Sequence, residues 1–248
     1  PPESRYYLDH FQELIERPQR EIEALAESDS LPRQYWDPSL RRSKKKRLEL
    51  YSLLWKANLL TFRRRRKARA GLFVVRKKDD SQRLIIDARQ ANACQHRPPT
   101  TQLSTGSGMV NLDLSPASLE AQGFSHVGDQ PDKCCFESGD VSDCFYNFRV
   151  KRLASWFGFD DKFTIGELRS MGYDIQTLYD DDQQCETSVD DSDWVYACFG
   201  GLPMGWSWAL YFANETVVYQ SSASRGFDTS DVIRDRSRAP EVSPNKPA

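Results

Sequence analysis

The run Trp194-Val195-Tyr196-Ala197-Cys198-Phe199 leads directly into Gly200-Gly201-Leu202-Pro203-Met204-Gly205, and the residues from Ser207 to Gln220 predict a helix. A strand, a tight turn and a helix in succession leave the backbone few choices. Aromatic and β-branched side chains favour the extended run, and the glycines let main chain come close to a flat base or ribose. A second constraint lies upstream. Gly71 to Lys78 reads as a strand, Asp79-Asp80-Ser81 as a turn and Gln82 to Asp87 as the returning strand, so this segment predicts a β-hairpin. Lys77, Lys78 and Arg83 then sit near the hairpin tip, where they could grip a triphosphate. Hairpin tips also carry lysines simply because they are solvated, and taken alone the local pattern favours that plainer reading.

Between these elements lies Gly139-Asp140-Val141-Ser142-Asp143-Cys144-Phe145-Tyr146, preceded by the apolar-leaning Cys134, Cys135 and Phe136. An aspartate at a strand end can offer oxygen ligands to a divalent ion, and a ring just beyond can press on the sugar of a nucleotide. Two plainer readings stand beside this one. Asp140 could cap a helix, and Phe145 or Tyr146 could be an ordinary core aromatic.

With 248 residues, 39% of them hydrophobic and 12% aromatic, the chain can bury a sizeable core in one or two domains. Its net charge of -2 hides a segregation. From Arg33 to Lys78 there are roughly seventeen Lys and Arg against two acids, while Glu120 to Asp193 is acidic. This pattern suits a protein that holds a phosphate backbone with one part and metal ions with another. Arg63-Arg64-Arg65-Arg66-Lys67 reads either as part of a nucleic-acid-binding arm or as a solvated helix end or import signal. No apolar run approaches the ~20 residues that span a bilayer. The start, Pro1-Pro2-Glu3-Ser4, carries no signal-peptide core, so an intracellular location, nuclear or cytoplasmic, is expected. Six cysteines show no zinc-ligand spacing and read as reduced thiols.

Elsewhere, Tyr7, Phe11, Leu14 and Ile15 recur at helical spacing until Pro18, and Ile22, Leu25 and Ala26 resume it. A further helix is expected from Ser39 to about Phe62, basic in its first turns. Arg97 to Asp132 reads mainly as loop with a short helix near Ser115 to Gln122. Trp156 to Phe159 reads as packed β structure, Asp174 to Asp193 as a polar acidic stretch, and the sequence beyond Ser221 as a disordered tail.

In this order, the hairpin ending Arg83-Leu84-Ile85-Ile86-Asp87-Ala88-Arg89-Gln90-Ala91-Asn92, then Asp140 to Phe145, then Gly201-Leu202-Pro203-Met204-Gly205, resembles the fingers and palm of reverse transcriptases, those of retroelements above all. The resemblance covers roughly Gly71 to Gln220. It implies an α+β fold: polymerase fingers and palm, with an incomplete ferredoxin-like palm sheet, preceded by a basic helical extension. The expected division is a basic extension over 1–65, fingers and partial palm over 66–220, and a polar tail over 221–248.

The same resemblance implies roles. Asp140 would be the first palm aspartate, a ligand of both catalytic ions, Mg2+ or Mn2+, and Asp143 would face the triphosphate. Phe145 would be the steric gate that favours deoxynucleotides. Arg83 with Lys77 or Lys78 would neutralise the β- and γ-phosphates, and Pro203, Met204 and Gly205 would line the incoming nucleotide. Implied partners are dNTP and an RNA or DNA template-primer. Asp87 and Arg89 read instead as a structural ion pair. The family's Tyr-x-Asp-Asp hairpin has no match after the Gly-Leu-Pro turn, and Tyr179-Asp180-Asp181-Asp182, which lies before it, reads as a solvated acidic loop. A fragment, inactive alone, of an RNA-directed DNA polymerase is therefore expected. The alternative is a non-catalytic nucleic-acid-binding module derived from one.

Overall fold

A computed structural model describes residues 1–125, 140–225 and 228–240. The N-terminal third is helical: α1 (Pro2–Asp9), α2 (Phe11–Leu14), α3 (Gln19–Glu27), α4 (Pro38–Arg42) and α5 (Lys44–Lys56). The breaks fall where local chemistry puts them. Pro18 stands at the entry to α3, Asp37 caps α4 by accepting from Ser39 N and Leu40 N, and Ser43 caps α5 by accepting from Lys46 N. The helix expected to run to Phe62 instead stops at Lys56, and Asn58 takes a left-handed turn (φ 55°). The chain then enters β1 (Leu60–Arg63), followed by β2 (Gly71–Arg76), β3 (Gln82–Asp87), α6 (Arg89–Ala93), α7 (Gly106–Val110), α8 (Pro116–Ala121) and α9 (Cys144–Asn147). After a 3-10 helix over Lys151–Phe157 come β4 (Gly158–Thr164), α10 (Ile165–Ser170), β5 (Thr177–Asp180), β6 (Cys185–Ser188), β7 (Trp194–Phe199) and α11 (Ala209–Arg225).

The fold is mixed α+β with small antiparallel sheets. It divides into two compact units. The first draws on Pro1–Asp9, Pro98–Ser142 and Leu210–Ala248, and the second on His10–Arg97 and Asp143–Ala209. The second unit is built on a three-stranded sheet in the order β1-β7-β4. Its central strand is the run of β-forming residues before the glycine turn, and Val195, Ala197, Cys198 and Phe199 are fully buried. Burial pushes the Cys198 thiol up to about 12.

Residues expected to form a separate basic extension contribute to this unit. Leu60 to Arg63 pair with Phe199 to Tyr196 as an edge strand, and Tyr51 of α5 stacks on Phe159 of β4 at 5.4 Å and 13°. Arg47 grips Asp161 with two hydrogen bonds of 2.7 and 2.9 Å, and the Tyr51 hydroxyl donates to the same carboxylate at 2.8 Å. Burial works to raise the Asp161 carboxyl, but these donors prevail and hold it below the usual carboxylate range.

The acidic stretch expected as loop contains a second hairpin, β5–β6, with Asp180 paired to Cys185. Extended structure wins there because Leu178 is buried and Tyr179 lies against Arg63 at 5.4 Å.

In the first unit, Tyr7 of α1 meets Tyr211 of α11 edge-on at 5.7 Å, and the Tyr211 hydroxyl donates to Glu3 at 2.9 Å. The short helix expected near Ser115 is α8, capped by Ser115. Part of the expected tail is held in place. Ser104 Oγ donates to Ile233 O at 2.6 Å, Asp235 N donates to Leu103 O at 3.0 Å, and Asp231 is buried. Residues 241–248 lie outside the described residues, as do Cys134, Cys135, Phe136 and Gly139 of the segment leading to Asp140.

Candidate nucleotide site

The β2–β3 hairpin forms as expected, in unbroken register from Gly71↔Asp87 to Arg76↔Gln82. Its turn is closed by Lys77 N donating to Ser81 O at 2.8 Å and by Asp79 accepting from Ser81. Lys77, Lys78 and Arg83 are exposed and share, with Arg76 and Asp79, the wall of an open depression of about 520 Å3. At the base of the hairpin, Gly71 packs directly on the Tyr35 backbone: a Cβ there would sit 1.8 Å from Tyr35 O. Asp87 accepts from Tyr35 N at 2.7 Å and forms the expected ion pair with Arg89 at 2.7 Å. Burial alone would raise the Asp87 carboxyl, yet the donors from Arg89 and Tyr35 leave it lowered.

α9 lies beside this hairpin. Asp143 enters it in the left-handed region (φ 52°, ψ 33°) and is exposed. The Tyr146 hydroxyl donates to Leu84 O of β3 at 2.8 Å, and its ring meets Phe199 of β7 edge-on at 6.3 Å. Burial raises the Tyr146 hydroxyl, the Asp143 charge adds to this, and the Arg83 charge opposes it, so Asp143 and Arg83 act on the same phenol. Tyr146 is thus the aromatic that anchors the helix. Phe145 is half-buried, and its carbonyl accepts from Leu202 N at 3.3 Å.

That bond ties α9 to the glycine turn. Gly200 N donates to Leu59 O at 2.8 Å, continuing the sheet, and Leu202 and Pro203 are buried while Met204 and Gly205 are exposed. Gly205 passes so close to β3 that a Cβ would lie 2.7 Å from Ile86 O. Asn92 clamps the turn: its Nδ2 donates to Gly205 O at 2.9 Å, and its Oδ1 accepts from Ser207 N at 2.9 Å. Trp206 Nε1 donates to Gln95 Oε1 at 2.6 Å, and Trp208 Nε1 donates to His96 O at 2.7 Å. Sequence reasoning gave Asn92 no role. A lone amide after a strand carries no periodic signal, and its importance exists only once Gly205 is beside it.

Asp140 is exposed and belongs to the first unit, whereas Asp143 belongs to the second. Among the described residues no three His, Cys, Asp or Glu side chains come together as a metal site.

The basic run is neither a helix nor an unpaired arm. Arg63 is buried, with hydrogen bonds to Thr61 Oγ1, Phe62 O and Lys151 O, and lies 3.9 Å from Asp181. Arg64 pairs with Asp193 at 3.1 Å, Arg65 with Asp182, Arg66 with Asp160 at 3.2 Å and Lys67 with Glu16 at 2.6 Å. Once β1 joins the sheet, Arg64 to Arg66 run past acids of the second half of the chain and Lys67 reaches Glu16, so opposite charges meet. Asp181, expected in a solvated loop, is mostly buried, and this burial raises its carboxyl despite Arg63.

No protein-family model matches the chain, and no curated protein matches it at a significant level.

Proposed function

We propose that the second unit carries the nucleotide-recognition part of a reverse-transcriptase-like, RNA-directed DNA polymerase, with fingers and palm arranged around an incoming dNTP. The observation that carries this reading is the convergence of three motifs distant in sequence. β3 with Arg83, α9 with Asp143 and Phe145, and the turn at Gly205 meet through Tyr146 to Leu84, Leu202 to Phe145, and Asn92 to Gly205. In this reading Arg83, Lys77 and Lys78 take the phosphates by charge-assisted hydrogen bonds, the turn lies along the base, and Phe145 excludes a 2'-hydroxyl. Discrimination of a thousandfold requires about 4 kcal/mol of clash. In this reading the chain by itself does not carry out nucleotidyl transfer, because the carboxylates of the family's Tyr-x-Asp-Asp hairpin have no counterpart after the glycine turn.

Equilibrium titration with fluorescent dATP and ATP in the presence of Mg2+ tests the reading. Arg83→Ala is expected to weaken both roughly tenfold, the loss of one charge-assisted contact, and Phe145→Ala to bring the two affinities together. Unchanged binding in both variants would overturn the site. In primer extension on an RNA template with Mg2+ the chain alone is expected to give no product, and synthesis that persists in Asp140→Asn would remove Asp140 from the reaction.

A further inference from the structure

A larger concavity lies in the second unit and shares no residue with the nucleotide site. It has a volume of about 840 Å3, within the range of roughly 300–1,000 Å3 that accommodates small ligands. Six cations line it, Arg33, Arg41, Arg47, Arg66, Lys67 and Arg69, against two carboxylates, Asp29 and Asp160. Three of the cations are committed elsewhere: Arg33 to Asp29, Arg47 to Asp161 and Lys67 to Glu16. The other three are not used up. Among the described residues the Arg41 and Arg69 guanidinium groups have no partner, and both side chains are exposed.

Arg66 is the built element. One of its Nη atoms donates to Phe159 O at 2.7 Å and to Asp160 at 3.2 Å, and its guanidinium lies 4.6 Å from the Tyr196 ring centroid. Held this way, it keeps its remaining N–H donors in a fixed plane, which lowers the ordering cost of binding an oxyanion. An excess of positive charge in a concave wall focuses the potential on anions. Beyond Gln34 and Gln90 the rest of the lining is apolar and includes Leu31, Pro32 and the buried Trp36.

We propose that this concavity is a second, separate site for a phosphate-bearing nucleotide, its phosphates on Arg41, Arg66 and Arg69 and its base against Leu31, Pro32 and Trp36. The occupant is a free nucleoside polyphosphate or one nucleotide of a single strand, which present the same chemistry.

Titration of the full chain at low salt with inorganic tripolyphosphate, ATP and a labelled oligothymidylate tests this. The Arg41→Glu/Arg69→Glu variant changes only exposed side chains. It is expected to bind at least tenfold more weakly, while Arg83→Ala, at the other site, leaves this component unchanged. ATP binding that is lost in the double variant identifies a free nucleotide; loss confined to the oligothymidylate identifies a strand. Either result supports the site. The proposal is overturned if the double variant binds every probe as the wild type does, if no probe binds, or if neither ATP nor the oligothymidylate binds more tightly than tripolyphosphate. Loss of binding in Arg83→Ala alone would leave the first site standing and remove the second.

Discussion

Asp161 and Asp181 each lie beside an arginine in the second unit, yet their surroundings drive them in opposite directions. Asp161 receives two hydrogen bonds from Arg47 and one from Tyr51, and its carboxyl is lowered. Asp181 is mostly buried, its closest approach to Arg63 is 3.9 Å, and its Oδ1 has no hydrogen-bond partner among the described residues, so its carboxyl is raised. Asp161→Asn leaves Arg47 without its counter-charge and is expected to cost roughly 3–5 kcal/mol at neutral pH. A lowered carboxyl stabilises above the ordinary carboxylate value and loses that contribution as pH falls through its folded value. The gap between wild type and Asp161→Asn, measured by urea denaturation, should therefore narrow below about pH 3.9. For Asp181 the sign reverses: stability is present at low pH and is lost as pH rises through the raised value. Asp181→Asn should gain on the wild type with rising pH, and a parallel trend for the two variants would show that Asp181 is ion-paired in the same way as Asp161.

At the scale of elements, the candidate site depends on contacts between segments more than on any one motif. The β2–β3 hairpin was legible because β-forming residues flank a turn of Asp and Ser, and the strand before the glycine turn was legible for the same reason. The partner of each was not. Nothing in Leu60 to Arg63 announces an edge strand, because its preceding helix shows apolar spacing that runs on into Phe62, and only pairing with β7 decides where the helix stops. Similarly, β5–β6 is polar by sequence and becomes a hairpin by laying Leu178 and Tyr179 against the sheet. The clamp between Asn92 and the glycine turn gives an element-scale prediction. Asn92→Ala deletes both hydrogen bonds and is expected to cost roughly 1–3 kcal/mol in thermal denaturation. Dye-labelled dATP should also bind more weakly, because Gly205 is no longer held on β3. A variant as stable as the wild type would mean that the turn is fixed by Trp206 and Trp208 alone.

At the scale of the whole molecule, the charge segregation visible in the sequence becomes internal pairing. Arg64, Arg65, Arg66 and Lys67 each meet an acid of the second unit, so little of the run stays available as an unpaired basic arm. No helix among the described residues is long and apolar enough to cross a membrane. Protection in this unit should follow burial. In hydrogen exchange read by mass spectrometry, amides of β7 are expected to exchange slowest and those at the β2–β3 tip fastest. Rapid exchange in β7 would contradict its place as the central strand.

The sequence by itself determined the hairpin with its tip cations, the strand before the glycine turn, the Asp87–Arg89 pair and the order of three motifs, because each is encoded within a few residues by turn chemistry and β-forming side chains. Tertiary structure alone decided that Leu60 to Arg63 is a strand, that Arg63 is buried, that Tyr146 anchors while Phe145 stays partly open, and that Asn92 holds Gly205. These depend on which distant segments come into contact, and the free energy of burial and of paired buried polar groups exceeds the weak local preference of any single residue.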